Sequence, residues 1–158
     1  MRFKGKSVNT TGGGTGIGAA IVRRMLAEAA NVKLVGRRLG PLQEIAHDNS
    51  FLAIAADAVD TKAFRGVVEQ VTARFGGIDV LVANAGGHGV GPTLTMTDET
   101  WAAAARNNLD TAFVSARDCL PQLITRKGNI VVISSIAGFV CFGKNVGNLT
   151  GDGGNRCC

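Results

Sequence analysis

The sequence predicts an α/β fold in which a doubly wound parallel sheet carries helices on both faces. Five short apolar segments alternate along the chain with segments whose apolar residues recur at helical spacing, so crossover connections and parallel strand pairing are expected. The strand segments are apolar throughout rather than at every second position, as in a sheet that is buried on both faces. A glycine-rich turn follows the first strand, where folds of this class bring the backbone close to a ligand.

The individual elements are predicted from apolar periodicity and from the residues that begin and end helices. Apolar runs predict strands over 6–11, 32–35, 51–56, 78–83 and 129–134. Helices are predicted over 17–29, over 42–47 behind Pro41, from Thr61 as N-cap to Phe75 before Gly76-Gly77, and from Thr97 as N-cap to about Arg126 with a break near Asn107-Asn108. Asn9 is unusual in the first strand, because a buried amide requires hydrogen-bond partners.

Composition places the chain among globular proteins of a single domain. Of its 158 residues, 46% are hydrophobic and 18% are charged. No apolar run approaches the ~18 residues that span a bilayer, so no membrane association is expected. The amino terminus has no apolar signal region, and a cytoplasmic location is therefore expected. The net charge of +5 comes from scattered basic residues, which favours a solvated surface over a nucleic-acid-binding one.

The cysteines and the glycines add two expectations. Cys119, Cys141, Cys157 and Cys158 lack the spacing of metal ligands, so reduced thiols and no metal site are expected. Glycine is frequent, at 22 residues, and one group of glycines lies near the carboxyl terminus. Residues 139–158 are therefore expected to form a poorly structured glycine-rich tail.

The turn after the first strand is the strongest functional signal. It reads Thr11-Gly12-Gly13-Gly14-Thr15-Gly16-Ile17-Gly18 and leads into a helix. Without side chains the backbone turns sharply and approaches a diphosphate closely, while the free N–H groups at the start of the helix attract the anion. No Gly-Lys-Ser/Thr follows, which disfavours hydrolysis of ATP or GTP. A dinucleotide is the predicted ligand, and the alternative is a glycine-rich turn that binds nothing.

The end of the second strand indicates which dinucleotide is preferred. NAD-preferring folds of this kind place an acidic residue there, which accepts hydrogen bonds from the ribose hydroxyls. Here the strand ends in Gly36-Arg37-Arg38, and an arginine holds a 2′-phosphate through charge-assisted hydrogen bonds. NADP(H) is therefore the predicted cofactor and NAD(H) the second option. The alternative is that both arginines are solvated surface residues.

Several motifs, in order along the chain, resemble the classical type of the short-chain dehydrogenase/reductase family. The spacing T-G-x-x-x-G-x-G of the first turn is typical of that family. Asn84-Ala85-Gly86 after the fourth strand and the segment 128–138 (G-N-I-V-V-I-S-S-I-A-G) are similar to two further family motifs. The resemblance covers residues 3 to about 150. It implies a Rossmann-type dinucleotide-binding domain over 1–158, with the family's C-terminal strands missing.

The resemblance also implies roles for individual residues. Ser135 would be the active-site serine and Asn108 the active-site asparagine. Asp57, with Ala58 beside it, would contact the adenine ring, whereas the asparagine motif would stabilise the central sheet and line the cofactor. The complete implied cofactor-binding set is Thr11, Gly12, Gly14, Thr15, Gly16, Ile17, Gly18, Arg37, Arg38, Asp57, Ala58, Asn84, Ala85 and Gly86. NADP-preferring relatives often carry a basic residue where this chain has Thr15.

The function implied by the resemblance is oxidoreduction. Hydride would pass between NADP(H) and a small-molecule carbonyl compound or secondary alcohol. A homo-oligomer formed through the helix around 108–126 is also implied.

The family's proton-transfer residues are not matched. Counting from Ser135, its tyrosine and lysine fall at positions occupied by Asn148 and Asp152, and the chain contains no tyrosine. His88 is a conceivable proton donor, although a solvent-exposed loop histidine is the simpler interpretation. Two alternatives therefore stay open beside the enzyme: a catalytically inactive dinucleotide-binding protein, and a truncated fragment without function.

Overall fold

The computed structural model describes residues 1–45, 50–87 and 93–135. Its strands are β1 (Ser7–Thr11), β2 (Asn31–Gly36), β3 (Phe51–Ala55), β4 (Val80–Ala83) and β5 (Asn129–Val132). Its helices are α1 (Gly16–Ala27), α2 (Leu39–Gln43), α3 (Thr61–Phe75), α4 (Asp98–Ala105) and α5 (Thr111–Arg126). A 3-10 turn, Thr93–Thr95, precedes α4, and a π-helical segment, Arg106–Asp110, joins α4 to α5.

The strands form one parallel sheet in the order β3-β2-β1-β4-β5. The chain moves outward from β1 to β3, then crosses back to place β4 on the other side of β1. This reversal leaves the carboxyl ends of β1 and β4 free of a covering connection, which is where open α/β sheets bind ligands. The predicted doubly wound fold is confirmed.

Two apolar layers cover the sheet, one on each face. On one face, α3 and α5 contribute Phe64, Val67, Val71, Val114, Cys119 and Leu123, which pack against Val35 and Leu81 of the sheet. On the other face, α1 and α2 contribute Val22 and Leu42, which pack with Val8, Val32 and Leu34. Among the described residues, no helix is both long and apolar enough to cross a membrane.

Three predicted element boundaries are corrected by the structure. The helix predicted over 42–47 begins earlier, at Leu39. Pro41 lies in the first turn of α2, where a backbone N–H would have no acceptor within the helix, so a proline costs no hydrogen bond there. The N-cap of α3 is Asp60 rather than Thr61, since the Asp60 carboxylate accepts a hydrogen bond from the Ala63 amide at 3.0 Å. The break expected near Asn107-Asn108 is the π-helical segment, so the helical path continues through it.

The Thr97 cap is confirmed, because its hydroxyl accepts a hydrogen bond from the Thr100 amide at 3.3 Å. The predicted glycine-rich tail over 139–158 lies outside the described residues, and with it three of the four cysteines, Cys141, Cys157 and Cys158. His47, the last residue of the predicted 42–47 helix, also lies outside them.

A buried carboxylate fastens the amino-terminal edge of the sheet. The side chain of Asp79 is only 4% exposed, and it accepts hydrogen bonds from the Ser7 amide (2.9 Å), Lys6 Nζ (3.1 Å) and an Arg126 guanidinium nitrogen (2.9 Å). Burial raises the pKa of Asp79, but the hydrogen bonds from Arg126, Ser7 and Lys6 outweigh it and lower the pKa from 3.8 to about 2. One ionised group therefore joins the start of β1, the start of β4 and the end of α5.

Two polar side chains interrupt the core beneath α3 and α5. Asn9 and Lys33 are register partners on β1 and β2, and both are fully buried. The Asn9 amide nitrogen donates to the Cys119 sulfur at 3.3 Å, but Asn9 Oδ1 and Lys33 Nζ have no hydrogen-bond partner within the described structure. The expectation that Asn9 needs partners is thus only half met.

The environment of Lys33 disfavours its charge. The ammonium lies 5.6 Å from the centroid of the Phe64 ring. Burial lowers the pKa of Lys33 from 10.5 to about 7, and the nearby Cys119 offsets this only in part. Burial also raises the pKa of the Cys119 thiol to about 11. The core therefore holds an amine that is only partly protonated at physiological pH.

We expect Lys33→Met to stabilise the protein at pH 7 by about 3 kcal/mol, because an apolar chain of similar length removes the cost of burying the amine. The unfolded chain binds a proton at Lys33 up to about pH 10.5, whereas the folded chain releases it above about pH 7. The free energy of unfolding should therefore rise between these pH values in wild type and much less in the variant. Urea unfolding across pH 7 to 10 measures both effects.

Lys62→Met is the matched control, since Lys62 is exposed on α3. It should leave both the stability and its pH dependence nearly unchanged. Equal free energies of unfolding for wild type and Lys33→Met at pH 7 would show that the buried Lys33 does not destabilise the fold.

Candidate functional site

A crevice opens at the carboxyl edge of the sheet, where the strand order reverses. It encloses about 550 Å³, part of which is open to solvent. Residues at or just after the carboxyl ends of the four strands β1 to β4 line it, together with one residue of the π-helical segment and the first residue of α5. The lining residues are Gly12, Val35, Gly36, Arg37, Ala56, Asp57, Ala58, Ala85, Gly86, Gly87, Asn107 and Thr111.

Gly12 brings the end of β1 against the segment after β4. Its φ is +65°, a conformation that side chains rarely adopt. A methyl group at this position would lie 2.5 Å from the Cα atom of Ala85. The Gly12 amide donates to the Val35 carbonyl oxygen at 2.8 Å, which keeps the turn against β2. Both the conformation and the space therefore require glycine.

Thr11 and Asn84 join the two halves of the crevice. The Thr11 hydroxyl accepts hydrogen bonds from the amides of Asn84 (3.1 Å) and Ala85 (3.0 Å). In return, the Asn84 side-chain amide donates to the carbonyl oxygens of Thr11 (3.1 Å) and Gly12 (2.9 Å). Neither residue lines the crevice, so their contribution is to hold its walls together.

The remainder of the glycine-rich turn leads into the uncapped start of α1. Gly16 has a φ of +54°, and Thr15, at the N-cap, makes no side-chain capping hydrogen bond. The first turn of α1 contains no acidic residue, so its amides and its partial positive charge are available to an anion. Thr15, Gly16 and Ile17 are exposed, whereas Gly18 is buried. A methyl group on Gly18 would lie 2.6 Å from the Asn84 side-chain nitrogen.

The ends of β2 and β3 supply the charged groups of the crevice. Arg37 lines it, whereas Arg38 is the N-cap of α2 and lies outside the lining. Asp57 and Ala58 line it after β3, and the Asp57 carboxylate accepts a hydrogen bond from the Val59 amide at 3.2 Å. The two predicted arginines are therefore not equivalent. Among the described residues, no cluster of His, Cys, Asp and Glu side chains could hold a metal ion.

Asn108 binds the segment after β4 to the π-helical segment. Its carboxamide oxygen accepts from the Gly87 amide at 3.1 Å, and its nitrogen donates to the carbonyl oxygens of Gly87 (2.8 Å) and Ala104 (2.9 Å). Ser135 is exposed and follows β5. Because β4 and β5 are adjacent and parallel, Ser135 and Asn84 lie at the same edge of the sheet. His88, Asn148 and Asp152 lie outside the described residues.

A family model described as short chain dehydrogenase matches residues 6–146 of this sequence. The chain belongs to that family. Among curated relatives, it is 32% identical over 146 residues to a cis-2,3-dihydrobiphenyl-2,3-diol dehydrogenase of Paraburkholderia xenovorans, covering 88% of this chain and 53% of that protein. It is 33% identical over 141 residues to a meso-2,3-butanediol dehydrogenase of Serratia marcescens, covering 87% of this chain and 56% of that protein.

Solved structures of short-chain dehydrogenases have the same fold. One from Brucella melitensis superposes with a TM-score of 0.87 at 28% identity, covering 98% of this chain and 65% of that one. A Caenorhabditis elegans short-chain dehydrogenase/reductase, solved with cofactor, superposes with a TM-score of 0.85 at 25% identity, covering 96% and 60%. The chain spans about half the length of the curated relatives it matches. Both the matched family model and the shared fold place this chain among the short-chain dehydrogenases.

Several residues that line the crevice of this family member were not predicted. Asn107 of the π-helical segment and Thr111 of α5 reach the crevice, and Ala56 and Gly87 extend two predicted sites by one residue. The Thr111 hydroxyl lies 2.9 Å from the Ala85 carbonyl oxygen and 3.0 Å from that of Asn107. A polar residue one turn after Asn108, on the helix face that also carries Val114 and Ser115, is the sequence signal that could have identified it.

We expect Gly12→Ala to lower the free energy of unfolding by more than about 3 kcal/mol, because it combines an unfavourable φ with a clash against Ala85. Thermal or urea unfolding measures the change. Gly66→Ala, within α3, is the matched control: a methyl group there meets no atom within 4 Å, and the fold should gain up to about 1 kcal/mol. Equal effects of the two substitutions would contradict the close approach of Gly12 to Ala85.

Proposed function

We propose that this chain binds NADP(H) in the crevice and that its family chemistry is hydride transfer between this cofactor and a small-molecule carbonyl compound or secondary alcohol. The observation that supports the proposal best is the composition of the crevice wall at the end of β2. Gly36 and Arg37 both line it, so a cationic side chain is present where an acidic one is absent.

The glycine-rich turn is the part of the site proposed to bind the diphosphate. Gly12 lines the crevice, and the start of α1 follows it with free amides and no acidic side chain. The amide groups of Gly14, Thr15, Gly16, Ile17 and Gly18 would then surround the negative charge. Asp57 and Ala58 would contact the adenosine end, and Ala85 and Gly86 would border the cofactor from the side of β4, with Asn84 holding the turn in place through Thr11 and Gly12.

The preference for NADP(H) over NAD(H) rests on charge. A 2′-phosphate carries negative charge that Arg37 can neutralise through charge-assisted hydrogen bonds. NAD(H) lacks this phosphate and would therefore not make that contact. The carboxylate that would accept hydrogen bonds from its free ribose hydroxyls is also missing, because position 36 is a glycine. Arg38 would add long-range attraction only, because it lies outside the lining.

We expect Arg37→Ala to weaken the binding of NADPH by about ten- to a hundredfold, the range of a lost charge-assisted contact, and the binding of NADH by less than about threefold. Titration of nicotinamide fluorescence measures both dissociation constants. Arg38→Ala is the matched control and should change both by less than about threefold. A larger loss of NADPH affinity in Arg38→Ala than in Arg37→Ala would show that Arg38, and not Arg37, binds the 2′-phosphate.

In the proposed reaction, bound cofactor supplies the hydride-transferring nicotinamide. Ser135 would donate a hydrogen bond to the substrate oxygen at the edge shared by β4 and β5. Asn108 would keep the segment after β4 in place through its hydrogen bonds to Gly87, so that the substrate and cofactor regions stay in register.

A catalytically inactive dinucleotide-binding protein is the second candidate, and one observation favours it. The chain contains no tyrosine, and position 148 holds an asparagine, which cannot exchange a proton near neutral pH. Asp152 would place negative charge where the family uses a lysine. Loss of a general acid–base group lowers rates by about 10²–10⁴-fold.

For this second candidate we expect NADPH binding without measurable NADPH oxidation in the presence of assorted ketones. The double variant Asn148→Tyr/Asp152→Lys, which restores both family residues, should oxidise NADPH at least about 10²-fold faster than wild type. Absorbance at the nicotinamide band follows the reaction. Wild-type turnover equal to that of the double variant would instead support the active enzyme, with the proton supplied by another group.

Self-association through α5 is proposed as the quaternary arrangement. Phe113, Leu120 and Ile124 are 60%, 44% and 68% exposed, and their spacing places them along one side of the helix. Apolar side chains aligned in this way are typical of surfaces that are covered in an assembly.

A further inference from the structure

One polar side chain of the crevice has no role in the function proposed above. Among the described lining residues, the polar side chains are those of Arg37, Asp57, Asn107 and Thr111. Arg37 is proposed to bind the 2′-phosphate and Asp57 the adenosine end. The Thr111 hydroxyl lies 2.9 Å from the Ala85 carbonyl oxygen and serves the fold. Asn107 is the polar side chain that remains.

The backbone of Asn107 is held against the crevice wall, while its side chain is free. Asn107 is half-buried in the π-helical segment, and its carbonyl oxygen lies 3.0 Å from the Thr111 hydroxyl. Its carboxamide makes no hydrogen bond to any described residue. The neighbouring Asn108 differs, because its carboxamide oxygen and nitrogen are both used within the fold. Asn107 therefore presents an unused donor and an unused acceptor to the crevice.

A free carboxamide matches one edge of adenine. The 6-amino group of adenine donates and the adjacent N7 accepts, so an asparagine side chain can form two hydrogen bonds with this edge. The Asp57 carboxylate only accepts, and it already accepts from the Val59 amide. It can take the second hydrogen of the amino group, but it cannot donate to N7. A purine with an oxygen at position 6 would leave the Asp57 carboxylate and the Asn107 oxygen without a donor.

We propose that Asn107 is a further cofactor-binding residue, whose carboxamide pairs with the 6-amino group and N7 of adenine and so selects adenine over 6-oxopurines. This inference rests on the proposed binding of a dinucleotide in the crevice. Asp57 lines the crevice after β3, and Asn107 lines it from the segment beside β4. The base would lie between these two side chains, which together would satisfy both hydrogens of its amino group.

The test compares NADPH with its analogue that carries hypoxanthine in place of adenine. Titration of nicotinamide fluorescence gives both dissociation constants. Wild type should prefer NADPH by at least about thirtyfold, and Asn107→Leu should lower this preference by about fivefold or more, the range of a lost pair of hydrogen bonds to a base. Leucine keeps the size of the side chain but can neither donate nor accept. The loss should fall mainly on NADPH.

Asn31→Leu is the matched control, because Asn31 is also half-buried but lies at the start of β2, outside the crevice lining. It should leave the preference within about twofold of wild type. Asn107→Ala provides the same loss of hydrogen bonds with a residue that favours helices, in case the leucine variant does not fold. The thermal midpoint of either Asn107 variant should stay near that of wild type, since the carboxamide has no described partner to lose.

An unchanged preference in both Asn107 variants would overturn the inference. Equal losses of affinity for NADPH and for the hypoxanthine analogue would also overturn it, because they would give Asn107 a role in the fold and none in reading the base. Failure of the proposed function is distinguishable from both results, since wild type would then bind neither dinucleotide, whereas an error about Asn107 alone leaves wild-type binding of NADPH intact.

Discussion

The reciprocal hydrogen bonds between Thr11-Gly12 and Asn84-Ala85 are the constraint on which the site depends. Two amides donate to the Thr11 hydroxyl, and one carboxamide donates to two carbonyl oxygens. These groups lie where β1 and β4 end side by side, at the reversal of strand order. The sheet alone would leave them without partners at its edge, and unpaired buried polar groups are costly. The hydrogen bonds therefore hold the ends of β1 and β4 at a fixed separation, at which Gly12 lies close to Ala85.

The polar groups of the core contribute very unequally to the fold. Asp79 accepts hydrogen bonds from three donors, at the start of β1 and the end of α5, so its burial is compensated. Lys33 is buried equally deeply, yet its nitrogen has no hydrogen-bond partner in the described part of the chain. Asn9, its neighbour, is satisfied on one side only. The two layers of apolar side chains must therefore offset a polar pair that lies on β1, which leads into the glycine-rich turn, and on the adjacent strand β2.

The sheet and the turn could be predicted because local patterns determine them. Apolar runs locate the five strands, and the glycine spacing locates the turn within them. The start of α2 could not be predicted in the same way. Leu39 and Gly40 show no helical pattern, and the burial of Leu42 in the α1/α2 layer decides the element. Asp60 and Thr61 are both good N-cap residues, so the turn after β3 decides which of the two caps α3.

The lining of the crevice depends on tertiary arrangement even more strongly. Asn107 and Thr111 reach it because a π-helical segment shifts the register of the helix beside Gly87. Arg37 and Arg38 are adjacent in sequence, but the start of α2 separates their environments. The burial of Lys33 is equally invisible in the sequence, since a single lysine in a strand gives no sign of which face is covered. Such features follow from how elements pack, and periodicity does not encode them.

The two edges of the sheet differ in how they respond to dissolved ions. At the amino-terminal edge, the Asp79 carboxylate is enclosed by its donors and shielded from solvent, so mobile ions screen that link much less. At the opposite edge, Arg37 is exposed, and its attraction for an anion is screened over a distance of about 8 Å at physiological ionic strength. Raising the ionic strength would thus weaken the attraction of this edge for an anion more than it weakens the scaffold beneath it.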